Sequence, residues 1–519
     1  MGFADNRQPA ALADNSYDSR REVVGVLLGS HPRRSSCGHF VTRRLQMPFR
    51  WDYREHLHLA AFVLKWLAIG LPLGIVVGSA VALFLWSLDE VTRLQWQYPW
   101  LLYLLPVAGI ASGLMYHCWG RSAESGNNLI MEEIHEPGGG VPIRMAPLVL
   151  IGTLITHLCG GSAGREGTAV QMGGSLAGTL GRWLRLSEED TRILLMAGVA
   201  AGFGAVFGTP LTGAVFALEV LAIGRLSYLA LIPCLVASII GDQVNSAWGI
   251  GHTHYHIIVT DHIASVSTGT TLDWLLAGKV AIAAVFFGLA SVLFAELTHM
   301  MNWAFRHTIS RPWLRPAVGG CLVILLVWLL GERDYLGLGV AANPNDPAAV
   351  TIQSSFYLGG AGWFCWWWKL LFTAVTVSSG FKGGEVTPLF FIGAALGNIL
   401  GQLLGAPVDL MAGLGFVAVF AGATNTPLAC TIMAIELFAP GNGSLLSSGF
   451  VVYAAVACFF SYFLSGHSSI YHAQRIGVPK TKHSRAYRKS LDSASAACVN
   501  ESPEARSEVS ASNSTCDSA

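Results

Sequence analysis

The chain has 519 residues, with 32 Lys and Arg against 32 Asp and Glu, so its net charge is zero and gives no argument for nucleic acid or an acidic partner. Apolar residues make up 52% and charged residues only 12%, about half the charged share of an average soluble chain. That balance excludes an ordinary soluble domain and points to a chain immersed in lipid.

Residues 1–54 are polar and Arg-containing and lack the apolar stretch of a signal peptide. They read as a disordered cytoplasmic arm, with Met47 as an alternative start. From Leu57 to Ser465 apolar runs recur. A hydrocarbon core of ~30 Å takes roughly 20 apolar residues per helix, and only helices or closed barrels satisfy their own backbone there. The runs are long and do not alternate strictly, which favours helices. They divide into a first transmembrane repeat (55–243), an extracytoplasmic linker (244–271) and a second transmembrane repeat (272–475). A tail rich in Ser, Ala and Glu (476–519) is expected to be disordered and cytoplasmic. Cys118, Cys159, Cys234, Cys321, Cys365, Cys430 and Cys458 lie in or at the ends of apolar runs and read as small hydrophobes rather than disulfides or metal ligands.

Arg43, Arg44, Arg50 and Arg54 precede the first span, and Arg475, Lys480, Lys482, Arg485, Arg488 and Lys489 follow the last. The positive-inside rule puts both termini in the cytoplasm. From Leu226 to Gly278 there is no Lys or Arg, which places the middle of the chain outside. Each half then crosses an odd number of times, so two homologous halves would be inverted. The sequence supports homology. Thr209-Pro210-Leu211 with Ala217-Leu218-Glu219 recurs as Thr426-Pro427-Leu428 with Ala434-Ile435-Glu436, both parts displaced by the same interval. Gly164-Arg165-Glu166-Gly167-Thr168 matches Gly383-Gly384-Glu385-Val386-Thr387 at nearly that interval. Inverted repeats with a site at the midplane are a transporter signature.

Three Gly-rich breaks interrupt the apolar runs: Glu124 to Asn128, Gly160 to Thr168 and Gly380 to Thr387. Each precedes a predicted helix, and helix N-termini offer unpaired N–H groups and partial positive charge to an anion. The plainer reading is ordinary helix capping by Ser125 and Thr387; three breaks together favour a site. Glu166 and Glu385 strengthen it, because a carboxylate near the bilayer centre costs at least ~2.5–3.5 kcal/mol and is kept for function. An acid at a helix N-terminus can occupy the anion's own place, and protonating it would loosen that hold and admit an anion. The plainer reading of each Glu is a helix-start residue in a water-filled vestibule.

Gly164-Arg165-Glu166-Gly167 resembles the G-[KR]-E-G-P motif of CLC chloride channels and antiporters, with Thr168 in place of proline. The likeness covers roughly residues 55–475. It implies an all-α polytopic membrane protein of the CLC fold, with two inverted-topology repeats and broken or re-entrant helices meeting at a midplane anion site. It also implies that Glu166 is the external gate, that Ser125 and Gly126 lie in the loop binding the central anion, and that Tyr471 meets the same anion. A homodimer with one pathway per subunit is implied as well, with no soluble cofactor.

Where chloride-handling members carry G-x-F-x-P, this chain has Gly384-Glu385-Val386-Thr387-Pro388. With Gly126-Asn127-Asn128-Leu129-Ile130, that resembles the CLC-F fluoride/proton antiporters, in which residues matching Glu385 and Thr387 serve fluoride transport. Fluoride is the hardest halide and the strongest hydrogen-bond acceptor. A protonated Glu385, the Thr387 hydroxyl, Tyr471 and the amides of Asn127 or Asn128 would supply its donors, with Val386 lining the same stretch. Ser125 stands where CLC-F members often have Met. Val220 stands where chloride/proton antiporters keep a proton-relay Glu, as in chloride channels, and is also compatible with CLC-F members that lack the relay. Both keep a chloride channel or chloride/proton antiporter open as the alternative.

Other features carry less. His252-x-His254-x-His256 in the linker reads as solvated histidines rather than a metal site. Glu219 and Glu436 close short helices, where anchoring outranks chemistry. Trp366-Trp367-Trp368 beside Lys369 reads as an interfacial belt. A membrane hydrolase lacks a nucleophile–base set or a zincin motif, and the intramembrane acids argue against a non-transporting scaffold. The expected substrates are fluoride (or chloride) and protons.

Overall fold

A computed structural model describes residues 53–253, 255, 257, 272–340, 349–438 and 449–481. The expected N-terminal arm up to residue 52, the start at Met47, the tail from residue 482, most of the linker, and His254 and His256 all lie outside the described residues.

The first half contains α1 (Tyr53–Gln97), α2 (Leu105–Trp119), α3 (Asn127–His135), α4 (Met145–Leu158), α5 (Glu166–Leu184), α6 (Glu188–Phe207), α7 (Pro210–Glu219) and α8 (Leu231–Ala247). The second contains α9 (Trp274–Thr308), α10 (Arg315–Leu330), α11 (Cys365–Ser378), α12 (Val386–Leu404), α13 (Val408–Thr424), α14 (Pro427–Phe438) and α15 (Phe450–Leu464). The repeat is visible in several matched helices. Helices α4 and α11 both have 14 residues, α5 and α12 both have 19, and α5 packs on α6 as α12 packs on α13. Gly208 and Asn425, each directly before a Thr-Pro-Leu copy, both end their helices in the left-handed conformation.

Among the described residues, seven helical stretches are long and apolar enough to cross a membrane, including α1, α6, α9 and α12. Others are not. At 1.5 Å per residue, the 10 residues of α7 cover about 15 Å, half of a ~30 Å core. Helices this short must end inside the membrane thickness, so their free N–H groups need partners from protein. Small residues allow the close crossings this requires. A side chain on Gly173 would strike the Gly198 carbonyl, and one on Gly393 the Gly415 carbonyl, so both repeats use glycine where backbones touch.

The Pro-bearing starts of α7 and α14 show how such an end is completed. Pro at the first helical position has no N–H, leaving the next two donors free. Leu211 and Thr212 N–H donate to Glu436 at 2.9 and 2.8 Å, and the Thr212 hydroxyl donates at 2.6 Å. Leu428 and Ala429 N–H donate to Glu219 at 3.1 and 2.8 Å. Each repeat's last glutamate closes the other repeat's helix, so the anchoring expected of Glu219 and Glu436 crosses between the halves.

A two-residue parallel ladder pairs Ala222–Ile223 (β1) with Arg475–Ile476 (β2). It straps the segment after α15 onto the end of the first repeat. Lys369 departs from the interfacial reading: it is fully buried and donates to the Tyr335 and Gly337 carbonyls at 3.1 and 2.7 Å, while the three tryptophans before it are half-buried. Five of the seven cysteines are buried; Cys118 and Cys321 are exposed.

Candidate functional site

The Gly-rich breaks before α5 and α12 meet. Gly164 and Gly384 form an isolated antiparallel bridge, with N–H to carbonyl distances of 2.5 and 2.6 Å in the two directions. A Cβ on Gly384 would lie 2.8 Å from the Gly167 nitrogen, and one on Gly164 would lie 2.7 Å from Glu166 Oε2. Glycine is required at this crossing because the backbones approach too closely for any side chain.

Glu166 is the first residue of α5 and is 1% exposed. Its carboxylate reaches across the bridge to the start of α12. The Thr387 N–H donates to Oε2 at 3.1 Å, the Thr387 hydroxyl donates to Oε1, and the Arg165 N–H donates to Oε2 at 3.0 Å. The Arg165 guanidinium stands 3.7 Å away. A negative group on the amino end of a 19-residue helix, served by backbone and hydroxyl donors, is the arrangement of a helix-terminal anion site. Here the protein's own carboxylate fills it.

Two cavities flank this junction. On one face a vestibule of about 720 Å³ is lined by Ser125, Gly126, Asn127, Asn128, Glu385, Val386 and Tyr471. On the other a crevice of about 40 Å³ is lined by Arg165, Glu166, Thr387 and His252 between the rings of Phe207, Phe390 and Phe416. All nine residues singled out in the sequence therefore face one continuous junction, divided between its sides. Glu385 and Thr387, two residues apart, do not share a cavity: Glu385 opens to the vestibule, while the Thr387 hydroxyl is held by Glu166.

The caps fall elsewhere than on Ser125 and Thr387: Gly126 is the N-cap of α3 and Glu385 that of α12, and Glu385 makes no side-chain cap bond. Ser125 is exposed at the vestibule, whereas Tyr471 is 8% exposed with its ring between the vestibule and a second, apolar cavity. Asn128 serves as support, its Oδ1 accepting the Ala473 N–H at 3.0 Å and so fixing the segment that carries Tyr471. Asn127 packs its amide against Gly167, and its Oδ1 is buried without a hydrogen-bond partner. Thr168, standing in place of proline, bonds Thr153 on α4 at 2.7 Å between hydroxyls, a tie that proline cannot make.

Lys382 was not singled out in the sequence. It lines the vestibule three residues before Glu385, with Nζ 4.0 Å above the Tyr116 ring and 3.5 Å from the Glu124 carbonyl. A lysine inside an intramembrane Gly-rich break was the available signal. Val220, at the relay position, lines the apolar cavity of about 20 Å³ with Ile130, Ile134, Phe216 and Tyr471.

Residues 108–466 match the family of voltage gated chloride channels. The chain is 50% identical over 431 residues to a chloride/fluoride channel protein of Pseudomonas syringae pv. tomato, covering 83% of this chain and 90% of the relative. Among solved structures, a CLC-type fluoride/proton antiporter matches at 32% identity with a TM-score of 0.71, over 81% of this chain and 99% of its own. A slow cyanobacterial Cl⁻/H⁺ antiporter, at 19% identity and a TM-score of 0.62 over 77% of this chain and 94% of its own, shares the fold.

Proposed function

The chain belongs to the voltage gated chloride channel (CLC) family, and from that premise we propose that it exports fluoride from the cytoplasm in exchange for inward protons. The observation that carries the reading is the Glu166 carboxylate seated on the Thr387 N–H and hydroxyl. Those donors are what a dehydrated fluoride needs, and carboxylate and fluoride cannot hold them together. Protonated Glu166 is a poorer acceptor; it releases the site, an anion enters, and the proton leaves by the other side. Glu166 is thus gate and proton carrier. The solved structure at 32% identity, a fluoride/proton antiporter, supports the choice of halide, and the relative at 50% is named for both chloride and fluoride.

In this reading the vestibule faces the cytoplasm. Arg306, Arg315 and Lys382 line it, as the positive-inside rule favours, whereas the stretch from Leu226 to Gly278 that carries His252 has no Lys or Arg. Fluoride is gathered past Ser125, Gly126, Asn127 and Asn128 towards Val386 and Tyr471. A charged Glu385 there repels it, so Glu385 accepts a proton when fluoride arrives and becomes a donor to it. Both termini are then cytoplasmic, and the working unit is a homodimer with one pathway per subunit.

A second reading is a chloride channel or chloride/proton antiporter of the same family; Val220 and its apolar cavity, where Tyr471 is the only titratable side chain among the described lining residues, favour the channel form of it. Proteoliposomes separate the two. Fluoride efflux should be coupled to proton uptake and should exceed chloride efflux, and Glu385→Ala should depress fluoride flux most. Equal chloride and fluoride rates with a silent Glu385→Ala would overturn the fluoride assignment.

A further inference from the structure

His252 shares the crevice with Glu166, and nothing so far gives it a task. Its ring lies on Gly208, the left-handed residue that ends α6 (φ +72°); a Cβ there would come within 2.6 Å of His252 Cδ2. Glycine at this helix end therefore makes the seat for an imidazole. On the α8 side, Nε2 stands 3.8 Å from Asp242 Oδ1 and 3.2 Å from Asn245 Nδ2. The His252 and Asp242 side chains are only 16% and 12% exposed, so the pair sits in the wall and not in bulk solvent.

Asn245 adds an independent observation. It is fully buried, its Nδ2 faces His252, and its Oδ1 has no hydrogen-bond partner. As placed, the amide donates to an unprotonated Nε2. Once Nε2 carries a proton, turning the amide offers the idle Oδ1 as acceptor, while the Asp242 carboxylate balances the new charge. Asn is suited to both states because it is donor at one end and acceptor at the other. A buried oxygen without a partner ordinarily costs free energy, and here it gains a partner in one protonation state.

We propose that Asp242, Asn245 and His252 form a proton-collecting relay at the outer mouth, feeding Glu166. The inference rests on the antiport reading and on its outward-facing crevice. His252 takes a proton from hydronium outside, leaving water, and becomes imidazolium. It then loses a proton, through water in the crevice, to the Glu166 carboxylate: one N–H bond breaks, one O–H bond forms, and neutral imidazole returns. The crevice, about 40 Å³, has room for such a water, which needs ~10–15 Å³. Among the described residues, the charged and titratable groups facing His252 include Asp242 from α8 and Arg165, Glu166 and Tyr255 across the crevice, with Glu436 acting on Asp242 from beyond. Imidazole is the side chain whose charge change ordinarily falls near neutral pH, which suits it to taking up a proton and passing it on.

The test uses the full chain in liposomes, with fluoride efflux and proton uptake followed while pH is varied on the His252 side. His252→Gln should run within about two-fold of wild type near pH 5.5, where hydronium reaches Glu166 directly, and at least about five-fold slower near pH 8, a modest share of what positioned proton transfer contributes. Asp242→Asn keeps the imidazole but weakens its cation, so its decline with pH should begin at lower pH than in wild type. Wild-type profiles for both variants would overturn the relay, and so would a loss of equal size at every pH, which marks a structural role. If His252→Gln does not fold, Asp242→Asn alone decides. A wild-type protein that moves fluoride without protons would instead overturn the antiport reading.

Discussion

The exchanged glutamates at α7 and α14 allow a quantitative prediction. Among the described residues, Glu436 accepts from two backbone N–H groups and the Thr212 hydroxyl, whereas Glu219 accepts from two N–H groups. A hydrogen bond to a charged group is worth about 1.5–3 kcal/mol, and losing an N-cap costs about 0.5–2 kcal/mol. The bonds at one carboxylate are not additive, so Glu436→Ala should destabilise by about 2–4 kcal/mol and Glu219→Ala by about 1.5–3 kcal/mol. The order matters more than the size, because Thr212 is fully buried and its hydroxyl would be stranded only in the Glu436 variant. Denaturant unfolding of the detergent-solubilised protein, followed by tryptophan fluorescence, measures both. Equal effects, the reverse order, or losses below about 0.5 kcal/mol would refute the idea that these carboxylates complete the partner helices.

Four further outcomes are expected. Thr387→Ala should lower the fluoride-to-chloride rate ratio at least about ten-fold, the lower end of what a donor to a charged acceptor supplies, and Thr387→Ser should restore it; an unchanged ratio removes the hydroxyl from fluoride handling. Glu385→Ala should depress fluoride efflux more than chloride efflux, measured with ion-selective electrodes, and equal losses would count against its role. Gly384→Ala places a Cβ 2.8 Å from the Gly167 nitrogen and should abolish flux in a folded protein. Gly278→Ala, with open space around it, should be neutral, and wild-type flux for Gly384→Ala would sink the claim that the crossing must be bare backbone. The strap responds to pH. Burial pushes the Lys480 ammonium down to about 7, and burial and then Lys480 hold His467 below its usual value, its Nε2 accepting the Lys480 N–H at 3.0 Å. The released strap therefore binds more protons than the docked one between about 7 and ~10.4 through Lys480, and below ~6.5 through His467. Docking should tighten as pH rises, read as hydrogen-exchange protection at Gly477 and Val478 after correction for intrinsic exchange. Lys480→Met should remove the part of the trend above about pH 7, and a flat wild-type profile would refute it.

Much of this was legible in the sequence because lipid leaves few options. Long apolar runs had to be helices, and Glu166 and Glu385 stood out because acids in such runs need a reason. The constant offset between the motif copies foretold paired helices, and α7 with α14 and α5 with α12 follow it. Contact across the pseudo-symmetry was hidden. Spacing alone shows that Thr-Pro-Leu and the glutamate behind it recur, but not that Glu219 closes the other copy's helix. Likewise Glu166 and Thr387 are 221 residues apart, and only the Gly164–Gly384 bridge makes them neighbours. Lys369 misled because a lysine beside three tryptophans usually marks the water boundary, whereas here two carbonyls hold it inside.

The exchange of glutamates also bears on how the protein is made. The donors at Leu211 and Thr212 are synthesised about 225 residues before Glu436. At ~5–20 residues per second, the first half waits on the order of 10–45 s in the bilayer with that helix start unfinished. Glu219 in turn finds its seat only when α14 emerges. Neither half can settle by itself, so the closing step of biogenesis is the docking of two immature repeats, and a translational pause before α14 would lengthen the interval in which insertion machinery or a protease meets an open chain.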